Sequence, residues 1–402
     1  MAPDSYPLPA AAPEPLPVST ILDAATCAAP QHLYTSLRTS SPILRAGSTV
    51  VVSRRREMDE VLRNPERFAS DMESVALGNV RPLIPLQVDP PDHARYRRLL
   101  DPLFAPKQVA KLEAQVRDLA MTLIDGFASQ EGCDLVPALT VPLPSEVFLA
   151  LLGLPLAELP LFLAMKDGIV RPAGATAGEF QVNRETTAAT IYAYFEEVLA
   201  ERRVAPRDDL VSRFVATEVD GRQLTHDEIL DICFLLLVAG LDTVSATLEC
   251  MFAYLAQHPA QRRILVDEPD MMPRAVEELL RWETPVMGLA RMATEETSLG
   301  GVPVHPGDRV VVLLGAPNLE PGWLEQPERV DLRRAKNRHV TFGTGVHRCL
   351  GAHLARLELR VTLAEFHRRI PDYHLEPGAT LRYNFGIRSI EALPLRFGPG
   401  PG

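Results

Sequence analysis

The sequence predicts a mainly α-helical fold with a small β portion. Apolar residues recur at helical spacing through most of the 402 residues. One such stretch, 224–258, would be roughly 50 Å long at 1.5 Å per residue, enough to cross a whole domain. The β-rich runs are short and few, at 49–53, within 300–314, and near the end at 382–397.

Taken in order, 49–53 reads as a strand and 55–62 as a helix that stops before Asn64-Pro65. Residues 70–86 are irregular, and a long loop in a compact domain is often functional. Asp89-Pro90-Pro91 opens the next helix, with prolines where a missing N–H costs nothing. His93 and Arg97 share one face of it, and by spacing alone they read as solvated basic surface. An amphipathic helix over 109–127 precedes short apolar helices at 143–152 and 159–169. Residues 171–179, with Pro172, Gly174 and Gly178, read as a mobile connection, and 186–203 as a helix ending before Pro206.

The long stretch 224–258 carries its own start signals. Thr225 and Glu228 form a capping box, and Leu224 with Ile229 a hydrophobic staple. Pro259 stops it. Residues 285–291 read as extended. The run 300–314 carries strand and turn signals at Gly301, Pro306 and Gly307, and 382–397 reads as a terminal hairpin or strand pair with a turn at 386–388.

Composition narrows the function classes. The net charge is −11 with no basic tract, which argues against nucleic acid or anionic membrane as main partner. The cysteines (Cys27, Cys133, Cys233, Cys250, Cys349) are odd in number and widely spaced, which suits a reduced cytoplasmic compartment. The Pro/Ala-rich residues 1–18 lack the features of a signal peptide and read as a disordered arm. The longest nearly apolar run, 232–241, is far short of the ~18 residues that suggest a membrane span. There is no internal repeat and no second Gly-rich nucleotide fingerprint, so 19–402 reads as one domain without a fused reductase.

Two stretches carry chemistry. In the long helix the apolar run 234–239 meets Gly240, then Asp242 and Thr243. A mid-helix glycine costs about 1 kcal/mol relative to alanine. A charge among apolar residues costs several kcal/mol unless it is paired. Thr243 can bond back to the Ala239 carbonyl and bend the helix. Two local rules broken side by side mark function. The second stretch is 342–351, which holds Gly343, Gly345, Gly351 and a single cysteine just before a helical pattern at 352–366. Loop amides and the helix dipole would both favour a Cys349 thiolate. Gly351 would leave open the space beside the sulfur. An isolated cysteine in a Gly-rich turn would read as inert, but this spacing is specific.

Phe342-Gly343-x-Gly345-x-His347-x-Cys349-x-Gly351 resembles the haem-thiolate loop of the cytochrome P450 family at every fixed position. Ala239-Gly240-x-Asp242-Thr243 is similar to that family's central-helix motif, although Val244 departs from the usual Thr or Ser. The run 316–321 departs from the usual pattern as well. The resemblance implies the family's triangular-prism fold, with haem b between the Cys349 loop and the long helix. It implies Cys349 as iron ligand and His93, Arg97, Arg291 and His347 around the haem propionates. Ala239, Gly240, Phe342, Gly343 and Gly351 would lie against the macrocycle. Asp242 and Thr243 become the catalytic acid–alcohol pair. Glu278 and Arg281 become a structural ion pair completed by Arg333 or Arg334.

The implied activity is a monooxygenase that uses dioxygen and takes electrons from a separate ferredoxin and ferredoxin reductase. Arg348, Arg356 and Lys107 are candidate docking positions. The substrate pocket would draw on 70–86, 160–185, Leu235, Ala239, Val286, Leu289 and Ile387. That lining suits a hydrophobic lipid, terpenoid, steroid or aromatic. Arg81 or Arg388 could meet a substrate carboxylate. The rival readings are a peroxide-driven peroxygenase and a non-catalytic haem-binding protein. The chain is expected to act as a monomer.

Overall fold

The stretch expected to be the long helix is the axis of the fold in the computed structural model, which describes residues 24–75, 77–219 and 221–398. The expected arm at 1–18 lies outside them. The helices are α1 (Ala24–Ala28), α2 (Pro30–Ser40), α3 (Arg55–Arg63), α4 (Asp92–Leu100), α5 (Pro106–Val109), α6 (Glu113–Asp125), α7 (Pro142–Leu151), α8 (Leu159–Val170), α9 (Ala177–Val204), α10 (Leu210–Ala216), α11 (His226–Gln257), α12 (Pro259–Asp267), α13 (Met272–Glu283) and α14 (Ala352–Arg369). Helix α11 packs against α7, α8, α9, α13 and α14. Its flanks fill two of the three apolar cores.

Both halves of the capping box on α11 form. The Glu228 N–H donates to Thr225 Oγ1 at 3.2 Å, and the Thr225 N–H donates to Glu228 Oε2 at 2.6 Å. Burial pushes the Glu228 carboxyl up, but Arg222, the Thr225 N–H and the Tyr96 hydroxyl outweigh it and hold the pKa at about 2. By length and composition α11 could cross a membrane, but 72% of its most apolar window is buried inside the protein. It is a core helix, apolar all round because neighbours surround it.

The strands that position the site are β1 (Ile43–Ala46), β2 (Thr49–Val52), β3 (Phe68–Ala69), β4 (Gly132–Asp134), β5 (Glu218–Val219), β6 (Arg222–Gln223), β7 (Gly288–Ala293), β8 (Thr297–Leu299), β9 (Val302–Val304), β10 (Arg309–Leu313), β11 (Tyr373–Leu375) and β12 (Pro394–Phe397). The largest sheet has the order β1-β2-β10-β7-β3. Its β2–β10 pair is parallel, with Val50 opposite Val310, and covers a third apolar core.

Several expectations need correction. Helix α9 begins at Ala177, nine residues earlier than the pattern suggested, because Thr176 caps it by accepting from the Glu179 N–H at 3.2 Å. The 171–176 connection is not loose at its start, where Arg171 is ion-paired into the interior. The C-terminal run is not a simple hairpin. Within itself it makes the bridge Tyr383 to Ile390, Ile387 bridges to Val286, and β12 pairs with β11 and β4. In the departing run 316–321, buried Asn318 donates to Thr284 and Thr341 and accepts from the Val340 N–H. That side chain stitches the turn to the segment leading into the cysteine loop.

Candidate active site

The cysteine loop is shaped by two glycines with positive φ, Gly343 at 70° and Gly345 at 75°. A Cβ on Gly345 would lie 2.0 Å from the Leu62 carbonyl oxygen, so the loop rests directly on the end of α3. The Cys349 N–H donates to the Phe342 carbonyl at 2.9 Å, closing the loop. The sulfur then faces a cavity of about 330 Å³, and Gly351 beside it has nothing within 4 Å of where a Cβ would sit. Burial pushes the Cys349 thiol above its ordinary pKa, more than the Gly351 N–H and Arg348, Arg97 and Arg356 lower it. The side chain is nevertheless exposed to that cavity. A bound metal would deprotonate a coordinating thiol outright.

Helix α11 forms the opposite wall through Leu235, Ala239, Gly240 and Thr243. The Thr243 hydroxyl donates to the Ala239 carbonyl at 3.0 Å, the expected back-bond, yet the helix runs unbroken through this point. Gly240 has a different structural reason. A Cβ there would lie 2.7 Å from Phe148 Cδ2, so the missing side chain admits the Phe148 ring from α7. Overpacking costs ~1–3 kcal/mol, and the helix-propensity gain of alanine over glycine is at most ~1 kcal/mol. Gly240→Ala is therefore expected to lower stability. In a Phe148→Ala background the same change should be neutral or stabilising, because its obstacle is gone. Urea unfolding of the four proteins in that cycle measures the coupling, and additive effects would refute the contact.

Asp242 points away from the cavity. Its carboxylate accepts from Lys166 Nζ at 3.0 Å and from Arg171 at 2.8 Å and 3.2 Å. Arg171 also donates to Ser389 at 2.7 Å, and its side chain is 29% exposed, so this cluster reaches solvent. Sequence reasoning missed Lys166 and Arg171, since no spacing rule joins residues 76 and 71 positions apart in the chain. It also missed Glu358, a buried α14 carboxyl lining the cavity. Glu358 Oε2 has no hydrogen-bond partner, and burial pushes its pKa well above the usual range.

At one edge of the cavity a set of basic groups gathers. His347 Nε2 lies 2.9 Å from Asp89 Oδ1, and its ring centroid is 4.2 Å from that of His93. His93 Nε2 is buried and unpartnered, and burial lowers its pKa to about 4, with His347 and Arg97 adding to the effect. Arg97 donates to the Arg348 carbonyl at 2.8 Å. The Arg291 guanidinium is buried with one hydrogen bond, to the Ala290 carbonyl, and burial lowers its pKa to about 10. Cationic and orphaned donors beside an apolar slot with a sulfur in its wall fit a flat macrocycle that carries acidic substituents. His93, Arg97, Arg291 and His347 would hold those substituents and Cys349 the iron.

The sequence-expected pocket residues divide. Leu235, Ala239, Val286, Leu289, Phe342 and Gly343 line the cavity, as do Ile84, Pro85 and Leu86. Ile387 does not; it forms a β-bridge with Val286, which does. No residue of 160–185 is among the lining, whose place is taken by Pro144, Phe148, Leu151 and Leu152 of α7 and its end. Neither arginine suggested for a substrate carboxylate is free. Arg81 pairs with Asp231 and Asp227, and Arg388 is buried against Glu283. The structural ion pair is formed, with Arg281 Nη2 2.7 Å from Glu278 Oε1, and its third member is Arg334, 3.0 Å from Glu278 Oε2. Arg333 instead pairs with Glu268 at the surface.

Comparison with known proteins agrees with this geometry. The family description "Cytochrome P450" matches residues 158–369. A steroid C26-monooxygenase of Mycobacterium tuberculosis is 32% identical over 92% of this chain and 94% of its own. A probable cytochrome P450 127A1 of Sinorhizobium fredii is 36% identical over 85% of this chain and 82% of its own. The crystal structure of a myxobacterial cytochrome P450 in complex with myristic acid superposes with a TM-score of 0.87 at 30% identity, covering 96% of this chain and all of that one. The chain therefore belongs to the cytochrome P450 family of haem-thiolate monooxygenases, which bind haem b through a cysteine sulfur.

Proposed function

We propose that this protein hydroxylates an apolar small molecule with dioxygen, taking electrons from a separate ferredoxin and its reductase in the cytoplasm. The observation that carries the reading is the cavity itself, with Cys349 on one wall, Thr243 on the other, and mostly leucine, valine, proline and phenylalanine between. The relatives point the same way: one is named for a steroid, and another holds a fatty acid. A lipid or steroid is the preferred substrate class.

Bound haem supplies dioxygen activation and electron storage, with thiolate ligation favouring O–O cleavage. The chain's own residues do the rest. The apolar lining excludes water and orients the substrate. The Thr243 hydroxyl would hold a proton at the cavity wall and could exchange its bond to the Ala239 carbonyl for one directed into the cavity. Asp242 works from behind the helix, as a carboxylate held by Lys166 and Arg171 at the inner end of a chain of polar groups that reaches solvent. Protons pass to Thr243 when that carboxylate swings from its cations.

Thr243→Ala is expected to uncouple the reaction. Electron and dioxygen consumption would continue while product per electron falls by up to ~10²-fold, the scale of a lost proton-transfer group. Product and electrons are counted in the same reaction mixture. Full coupling in the variant would end the proton-delivery assignment, and the presence of the acid–alcohol pair is what favours dioxygen over peroxide as oxidant.

A further inference from the structure

Arg81 takes no part in the chemistry above, yet it is tied to two helices at once. Its Nε donates to Asp231 Oδ2 of α11 at 3.0 Å, and its Nη1 lies 3.5 Å from Asp227 Oδ1. Its guanidinium lies over the Tyr192 ring of α9, 5.1 Å from the centroid. The Tyr192 hydroxyl donates to the other oxygen of the same carboxylate, Asp231 Oδ1, at 2.9 Å. Asp231 is 3% exposed, and Arg81 is its one ion-pair partner among the described residues. A single buried carboxylate thus joins the 77–88 segment, α9 and α11.

That segment is the roof of the cavity, through Ile84, Pro85 and Leu86. It is stiff within itself. Gln87 accepts from the Leu83 N–H and from Asn79, each at 2.7 Å, and donates to the Val75 carbonyl at 2.7 Å. At its base, Ser70 donates to the Leu86 carbonyl at 2.6 Å and its N–H to Asp89 at 2.7 Å. The unit is stitched internally, fixed at its base and seated in the apolar core through Leu83 and Ile84, and Arg81 ties the end far from that base to α9 and α11. Next to it Val80 is 71% exposed, while Asn79 and Leu83 on either side are buried and Gly78 lies close against Arg184 of α9.

We propose that Arg81 is the positioning residue that bolts this roof shut, through Asp231 and Tyr192, and so governs the passage of bulky apolar ligands into the cavity. The proposal rests on the reading of that cavity as the ligand site. It assigns to Arg81 control over exchange rate rather than over chemistry or final affinity. Breaking the bolt speeds both arrival and departure of a large ligand and leaves a small one nearly untouched.

The test uses haem-loaded enzyme and two probes that ligate haem iron, bulky clotrimazole and small imidazole, followed by stopped flow at the Soret band. In Arg81→Gln, clotrimazole association and dissociation should both quicken by ~10- to ~100-fold, the scale of a hydrogen bond to a charged group. Imidazole rates should change by less than ~3-fold, an effect too small to involve that bond. Amide hydrogen exchange across 77–88 should accelerate in parallel, while the carbon monoxide spectrum stays the same. Arg81→Lys should restore part of the protection, and Asp231→Asn, which removes the buried charge without leaving it unpaired, should reproduce the fast exchange if Arg81→Gln folds poorly.

Unchanged hydrogen exchange with unchanged clotrimazole rates would overturn the bolt. So would equal acceleration of both probes, which would locate the effect in the pocket instead of the roof. Should neither azole shift the wild-type Soret band, the haem reading fails, and hydrogen exchange alone then decides whether Arg81 pins the segment.

Discussion

Cys349→Ser is expected to abolish the red-shifted Soret band of the reduced carbon monoxide adduct, and to lower turnover by more than ~10³-fold, the scale on which a central reacting group acts. Serine is nearly isosteric and keeps the loop's backbone bond from residue 349 to the Phe342 carbonyl, so folding should survive. What changes is the donor atom. A neutral hydroxyl at this position neither ionises nor offers the soft, electron-rich sulfur that haem-thiolate chemistry requires. The measurement is the carbon monoxide difference spectrum of haem-loaded variant beside wild type. Retention of the red-shifted band in the serine variant would mean that iron is held elsewhere, and the account of this site would fail.

Glu278→Ala should have the largest effect on stability. Glu278 and Arg281 are both 0% exposed, and Glu278 also accepts from the Asp331 N–H, Arg334 and Asn337. Removing the carboxylate strands a buried guanidinium, a loss of ~3–5 kcal/mol. Arg281 additionally donates to the carbonyls of Asn318, Pro327 and Arg329, so the segment leading to the cysteine loop hangs on this one side chain. The expected outcome is poor haem retention and a lower urea midpoint. The neighbouring arginines provide the contrast. Arg334→Ala should cost clearly more than Arg333→Ala, whose pair with Glu268 lies at the surface and contributes little. Equal losses from the two arginine variants would contradict the assignment of Arg334 to the network.

How much of this was legible in the sequence depended on whether the signal was local. The cap at Thr225, the Thr243 back-bond and the cysteine loop are written in residues a few positions apart, and each formed as its spacing suggested. The α9 start was missed because Pro172, Gly174 and Gly178 look like loop chemistry, while one threonine hydroxyl suffices to begin the helix at Ala177. The partners of Asp242 were invisible because a buried ion pair carries no periodicity. For the same reason the spacing of Arg333 and Arg334 could not tell them apart; only the fold decides which one turns inward. The cavity is lined by the central-helix positions that periodicity points to, Leu235 and Ala239, whereas α7 rather than 160–185 supplies the next wall, a tertiary contact with no local signal.

The parallel pairing of β2 with β10 joins residues 49–52 to 309–312. A ribosome must therefore translate about three-quarters of the message before Val50 can meet Val310, and the short β1–β2 ribbon waits alone until then. Isolated two-stranded ribbons are marginal in water, and pairing across so long a loop is slow. The nascent N-terminal region thus emerges with an open, valine-rich edge that a second growing chain could template onto. Expression yield of this protein should accordingly respond to translation speed and chaperone supply more than to the stability of the finished fold.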